Sequence, residues 1–199
     1  TVTIATAQTA FLAASTITLG GGTLNVGNAS GVGNLPASGT GLINAAVGST
    51  LNVNNSVANV NNRLGSTRPL TLQASTFNYT GNGTVASNEA LGTLTLGAGS
   101  NAINISGGTA ANPATITTTG FASNIVNVGG FLVLTCSNFG TDNRLITTAA
   151  PTLVNGVIQR AAYVNGANAS LVTGGAATAL SAATLTAATG DLNNQIGAS

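Results

Sequence analysis

The chain of 199 residues contains no histidine, lysine, methionine or tryptophan and a single cysteine, and only seven side chains carry charge: Arg63, Arg68, Arg144, Arg160, Glu89, Asp142 and Asp191. Each absence removes a class of chemistry. Without His or Lys, and with one Cys, the groups that build nucleophile–base triads, Schiff bases and His/Cys metal sites are missing. We therefore expect no enzyme, no catalytic or metal-ligating residues and no cofactor. Four scattered arginines supply neither the clustered charge that drives nucleic-acid binding by counterion release nor a polybasic stretch for an anionic membrane surface. Gly, Thr or Asn interrupts every apolar run before the roughly 20 residues that span a bilayer, so no transmembrane segment is expected. One cysteine excludes an internal disulfide. The chain starts at Thr1 with no basic stretch leading into an apolar one, so it reads as a mature protein or a piece of a longer one.

Small residues take the place of charged ones. Gly alone occurs 27 times, 43% of residues are apolar, the formal net charge is +1 and the mean hydropathy is +0.38. Low hydrophobicity with high net charge, the usual signature of disorder, is the opposite pattern. A chain of this length is one or two domains and can bury a sizeable core.

An internal repeat predicts the fold. Thr23-Leu24-Asn25-Val26, Thr50-Leu51-Asn52-Val53, Thr76-Phe77-Asn78-Tyr79 and Ala102-Ile103-Asn104-Ile105 align on an asparagine, with Leu132-Val133-Leu134 as a degenerate fifth member. Those asparagines are 27, 26 and 26 residues apart, and Val133 follows Asn104 by 29. A second column precedes the first across a Gly/Ser corner: Ile17-Thr18-Leu19, Ala46-Val47, Leu70-Thr71-Leu72, Leu94-Thr95-Leu96 and Val126-Asn127-Val128. Alternation at period two is the half-buried strand pattern. A repeat of 26–27 residues suits one turn of a parallel coil with three short sides. The fold class expected is all-β, a right-handed parallel β-helix (β-solenoid) with about 26–27 residues per coil, its handedness taken from the general preference of parallel crossovers. Stacked coils would place the four asparagines above one another at roughly 4.8 Å, where amides can hydrogen-bond in a ladder. Segments such as Gly27–Asn34 and Asn54–Asn59 read as corners and a weaker third strand.

The regular solenoid repeats are expected over 1–139, with less regular terminal coils or a cap over 140–199. Short strand candidates persist there at Leu145-Ile146, Leu153-Val154, Gly156-Val157-Ile158, Ala162-Tyr163-Val164 and Leu171-Val172, whereas Ala176–Ala188 fits helix by its alanines and strand by Thr184-Leu185-Thr186. The phrases GTLTLGAGSNAINISGG and TITLGGGTLNVGN resemble autotransporter-associated β-strand repeats of very large bacterial surface proteins. LITTAAPTLVNGVIQRAAYVNGANASLVT, Leu145 to Thr173, resembles an element that follows those repeats. The resemblance implies an exported, repetitive cell-surface protein with no catalytic residues to carry over.

Candidate sites are few. Glycosidases of the β-helix type need two carboxylates within roughly 5–10 Å. Asp142 has no acidic repeat-mate in the preceding coils, Glu89 lies more than one coil away and Asp191 nearly two, so all three are expected as solvated turn residues and the arginines as exposed. Asp142 and Arg144 suit a local salt bridge or an Asx-turn. Cys136 has the parity of Leu132 and Leu134 and is expected as a small buried hydrophobe, and Phe77 and Tyr79 as core. Asn-x-Ser/Thr sequons start at Asn28, Asn54, Asn78, Asn82, Asn104 and Asn168. A sugar on Asn78 or Asn104 would collide with the next coil if those side chains faced inward. The Thr-x-Thr pairs at 1–3, 16–18, 93–95 and 115–117 do not share one spacing. The function expected is a non-enzymatic extracellular structural protein: a subunit or segment of a bacterial surface fibre, surface layer or adhesin that self-associates by strand and coil stacking, the last coil of one copy on the first of the next. The alternative is an adhesin module that binds a surface glycan or host surface. A β-helix polysaccharide lyase is disfavoured by the scarcity of acids and the lack of lysine.

Overall fold

The structure, a computed structural model, describes residues 1–8, 14–27, 32–122, 129–153, 158, 160–165, 168–173 and 180–182. Its strands are β1 (Val2–Ile4), β2 (Ile17–Leu19), β3 (Thr23–Val26), β4 (Ile43–Ala45), β5 (Thr50–Asn54), β6 (Leu70–Leu72), β7 (Thr76–Thr80), β8 (Ser87–Leu96), β9 (Gly99–Ser106), β10 (Ala114–Phe121), β11 (Gly130–Thr135), β12 (Asn143–Thr147), β13 (Ala161–Asn165), β14 (Asn168–Thr173) and β15 (Ser181–Ala182). No helix occurs among the described residues. The fold is an all-β solenoid of stacked parallel strands, as the repeat predicts. A nine-stranded sheet runs β1-β3-β5-β7-β9-β11-β13-β14-β15 and a six-stranded sheet runs β12-β10-β8-β6-β4-β2. From β1 to β13 alternate strands in the chain thus go to alternate sheets, the topology of a coil that returns to each side once per turn.

Register confirms the asparagine alignment. Asn25 pairs with Asn52, Asn52 with Asn78 and Asn78 with Asn104. The strands are short because each side of the coil is short, and the β-branched and apolar residues at every second position suit a pleated, one-side-buried surface. Leu24, Leu51, Phe77, Ile103 and Leu134 stack in one inward column, and Val26, Val53, Tyr79 and Ile105 in the next. From the opposite sheet Ile43, Leu70 and Leu94 stack against them, and all of these are buried.

Two alignments need correction. Val133 pairs with Ala102, and Thr135 takes the place above Asn104. The fifth member is therefore displaced by two residues, and the coil there is 31 residues long. A shift of two preserves the inward parity of Leu132 and Leu134, so alternation alone could not detect it. In the second column the member of the second coil is Ile43-Asn44-Ala45, not Ala46-Val47; Val47 is exposed in the corner. Val126-Asn127-Val128 lies outside the described residues.

A third arc joins the two sheets. In the early coils it is a bare backbone contact, Ala7 with Asn34 and the Leu35 N–H to the Arg63 carbonyl at 2.6 Å. In later coils it becomes true strand. β8 pairs with β10 over Ser87–Leu91 and, past a break at Gly92, again at Thr93 and Leu94, and its end pairs with β6. Coil-to-coil fit at this arc is close: a Cβ on Gly33 would lie 2.0 Å from the Ile4 carbonyl oxygen of the coil before.

Parallel stacking continues through β12 on β10 and β13 on β11. Direction then reverses, because β14 pairs antiparallel with β13 and β15 antiparallel with β14. The Leu180 N–H donates to the Leu145 carbonyl of β12 at 2.7 Å, and the Ile158 N–H to the Val172 carbonyl at 2.8 Å. Val172 and Leu180 are fully buried. Antiparallel chain therefore covers part of the last coil. Of the C-terminal candidates, Leu145-Ile146, Ala162-Tyr163-Val164 and Leu171-Val172 lie in strands. Leu153 is exposed outside any strand, and residues 154–157 and 183–199 lie outside the described residues.

Candidate functional site

The asparagine column faces outward. Along β3, β5 and β7 the positions beside it are inward and buried, while Asn25, Asn52 and Asn78 are half-buried. The Asn52 Nδ2 donates to Asn25 Oδ1, Asn78 Nδ2 to Asn52 Oδ1 and Asn104 Nδ2 to Asn78 Oδ1, each at 2.7 Å. Asn25 Nδ2 ends the ladder on Thr3 Oγ1 at 3.2 Å. Each rung satisfies a donor and an acceptor at once and excludes charge, since like charges at the strand spacing would repel. Asn52→Val removes two rungs from a half-exposed surface where water can replace them, so its urea midpoint should fall by an amount equivalent to about 1–2 kcal/mol.

Beside the ladder runs a groove of about 350 Å³ lined by Thr3, Asn25, Gly27, Asn52, Val53, Asn54, Asn78 and Thr80. Gly27 borders it at the position that Asn54 and Thr80 take in the following coils. Gly27 has φ +77°, and a Cβ there would lie 2.6 Å from the Asn54 carbonyl oxygen and 2.7 Å from the Arg63 guanidinium carbon.

That guanidinium belongs to a second constellation, which the sequence-based expectation misplaced. Arg63, Arg68 and Glu89 are not exposed turn residues: all three are fully buried. Glu89 occupies the inward column that Ile116 and Leu145 continue. Its carboxylate accepts the backbone N–H of Arg63 at Oε2 and of Leu64 at Oε1, both at 2.9 Å. Here the strand ladder is interrupted, because Asn62 adopts φ +57°, and the carboxylate supplies the acceptors that a neighbouring strand would otherwise offer. The Arg63 guanidinium donates to Asn55 Oδ1 and to the carbonyls of Gly33 and Ala58. Asn55 Nδ2 in turn donates to the Tyr79 hydroxyl at 3.3 Å. Burial pushes the Glu89 carboxyl up to about 8 against the opposing pull of the two backbone donors and the Arg63 charge. Burial likewise lowers the Arg63 guanidinium and raises the Tyr79 phenol. The spacing was available as a signal: Arg63 and Glu89 are 26 residues apart, one coil.

Arg68 makes a different tie. Its Nη1 donates to the carbonyls of Ser15 at 2.9 Å and Gly41 at 3.0 Å, crossing two coils, while Nε and Nη2 are buried without an acceptor among the described residues. Gly39 leaves the space it needs, since a Cβ there would lie 2.2 Å from Nε.

The remaining candidates are structural. Asp142 Oδ2 accepts from Asn138 Nδ2 at 2.7 Å and Arg144 Nε donates to the Thr141 carbonyl at 2.6 Å, so each pairs with the local turn. Cys136 is buried as expected, which pushes its thiol up to about 12, and the Tyr163 hydroxyl donates to its carbonyl at 3.0 Å. Phe77 and Tyr79 are core. Asn78 and Asn104 face outward, so a sugar there would break the ladder rather than collide with the core. Asn54 Oδ1 and Asn82 Oδ1 accept the backbone N–H of Ser56 and Thr84 in turns, and Asn28 lies outside the described residues. Thr18 and Thr95 do share one outward column, joined through Asn44 and Thr71, but Thr3 and Thr117 belong to other sides.

At the N-terminal end no described residue covers the first coil. β1 and β2 are the first strands of their sheets, and a cavity of about 620 Å³ there is lined by Val2, Ile4, Ile17, Leu19 and Leu24 among others. Compared with protein-family models, curated proteins and solved structures, the chain finds no match in any of the three.

Proposed function

We propose that the chain is a non-enzymatic structural solenoid, a segment of an extracellular bacterial surface fibre, layer or adhesin that extends by laying coil on coil. The first coil carries this reading. Among the described residues the outer edges of β1 and β2 are unpaired and an apolar cross-section lies between them, the surface that a further coil covers elsewhere in the stack, and an edge of this kind is a template for pairing. Few charges, and neutral amides in the outward ladder, leave little repulsion between stacked coils. The resemblance of the repeats to autotransporter-associated strands supports an exported surface protein.

Antiparallel β14 and β15 cover the nine-stranded sheet at the other end, so the isolated chain should join at its N-terminal ends into pairs, whereas upstream coils in a longer chain would extend the solenoid. Sedimentation velocity and negative-stain microscopy over a concentration series test this. Concentration-dependent pairs that Val2→Lys, an edge lysine, dissociates are the expected result. A monodisperse monomer at every concentration overturns the stacking reading.

A further inference from the structure

We propose that the groove beside the asparagine ladder binds a neutral polysaccharide whose chain lies along the solenoid axis. The chemistry follows from the valences the ladder leaves over. A carboxamide has two N–H donors and two oxygen lone pairs. Asn52 and Asn78 each use one donor and one lone pair on their neighbours in the ladder. Among the described residues no partner takes up the second N–H or the second lone pair of either, and both side chains are half-buried on the outer face. A donor and an acceptor side by side match a pair of vicinal hydroxyls, each of which both donates and accepts.

Three further features narrow the ligand. None of the groove residues is charged, and Arg63 beneath Gly27 is turned inward onto Asn55, Gly33 and Ala58, so an ionic polymer gains nothing here. The carboxamide recurs over four successive coils, at Asn25, Asn52, Asn78 and Asn104, about 4.8 Å apart, which suits a repeating chain better than a compact molecule. The groove's volume of about 350 Å³ is within the range of ligand sites, roughly 300–1,000 Å³, and Asn54 and Thr80 give it a wall opposite the ladder. No aromatic side chain lines it, so each sugar is held by hydrogen bonds alone. Such contacts are individually weak, and affinity arises from many rungs engaging one chain.

The inference concerns the outer face of the nine-stranded sheet and is independent of how the N-terminal end pairs. Its test is retention of the full chain on insoluble cellulose and on chitin, with heparin-agarose as the charged control. Retention on one of the neutral polymers that survives high salt is expected. Thr80→Arg, which fills the groove without touching the ladder, and Asn52→Thr, which puts into the ladder the residue type that Thr135 already places there, should each lower the retained fraction about tenfold or more. Thr71→Arg, on the outward face of the other sheet, should leave it unchanged. Far-UV circular dichroism checks each variant's fold, and if Asn52→Thr unfolds, Thr80→Arg alone decides. Failure to bind either neutral polymer, retention indifferent to Thr80→Arg, or retention on heparin that salt removes would each overturn the proposal.

Discussion

Replacing Glu89 with alanine is expected to lower the free energy of unfolding by about 3–5 kcal/mol, because two backbone N–H groups lose their acceptor inside the fold. The change strands two groups at once. The backbone N–H groups of Arg63 and Leu64 lose their acceptors in a fully buried arc, while the Arg63 guanidinium keeps Asn55 and the carbonyls of Gly33 and Ala58. Each buried donor left without a partner costs about 1–3 kcal/mol. Glu89→Gln keeps the volume and one acceptor but turns an amide NH₂ toward a backbone N–H, so a smaller loss is expected. Equilibrium urea unfolding, followed by circular dichroism, measures both. A loss under about 1 kcal/mol for Glu89→Ala would show that the arc is held by packing of Leu35, Leu64 and Leu91 instead.

Acidification should stabilise the fold, against the usual behaviour of proteins whose carboxylates are stabilised by ion pairs. The Glu89 carboxyl is raised from 4.5 in the open chain to about 8 in the fold, chiefly by burial. Between those values the folded state holds a proton that the unfolded state has released, so stability falls as pH rises. The full contribution is present below about pH 4.5, is lost progressively up to about pH 8, and is constant above. At about 1.4 kcal/mol per pH unit the window spans roughly 3–5 kcal/mol. The ionisable groups that face Glu89 are Arg63 and Tyr79, and neither titrates in this window. Unfolding midpoints measured from pH 4.5 to 8 should decline steadily for the native chain and stay level for Glu89→Gln. A native profile that rises with pH would mean that the carboxylate is ionised in the fold and that Arg63 outweighs the cost of burial.

Much of the stack was legible because a solenoid converts sequence period into spatial coincidence. Asn25, Asn52, Asn78 and Asn104 had to meet once the strands were parallel and the coil was 26 or 27 residues long. Strand alternation likewise predicted the buried places of Phe77, Tyr79 and Cys136. The slip at Val133 escaped because a two-residue displacement leaves every side chain on its correct face. The column at Ile43 escaped because Ala46-Val47 has the same small apolar character and sits next to the same glycine.

The charged residues escaped for another reason. General experience places isolated arginines and glutamates on the surface, since burying an unpaired charge is costly. Arg63 meets that cost with Asn55 and the carbonyls of Gly33 and Ala58, and Glu89 by holding its proton and accepting two N–H groups of an irregular arc, partners that no local pattern announces. The same coil period that aligned the asparagines also aligns Arg63 with Glu89, so the pairing was encoded, but in residues whose types argued against looking there.

By itself the sequence determined the fold class, the coil length over the first four repeats, the neutral ladder and the poverty of reactive side chains, because all of these follow from periodicity and composition. Only the tertiary structure decided that the ladder faces solvent, that Arg63, Arg68 and Glu89 lie in the core, that the third arc is stitched by the Glu89 carboxyl before it becomes strand, and that antiparallel chain covers one end of the stack while no described residue covers the other. These depend on which side of the pleat a column takes and on contacts between residues one or two coils apart, and a one-dimensional pattern carries neither until the coils are closed.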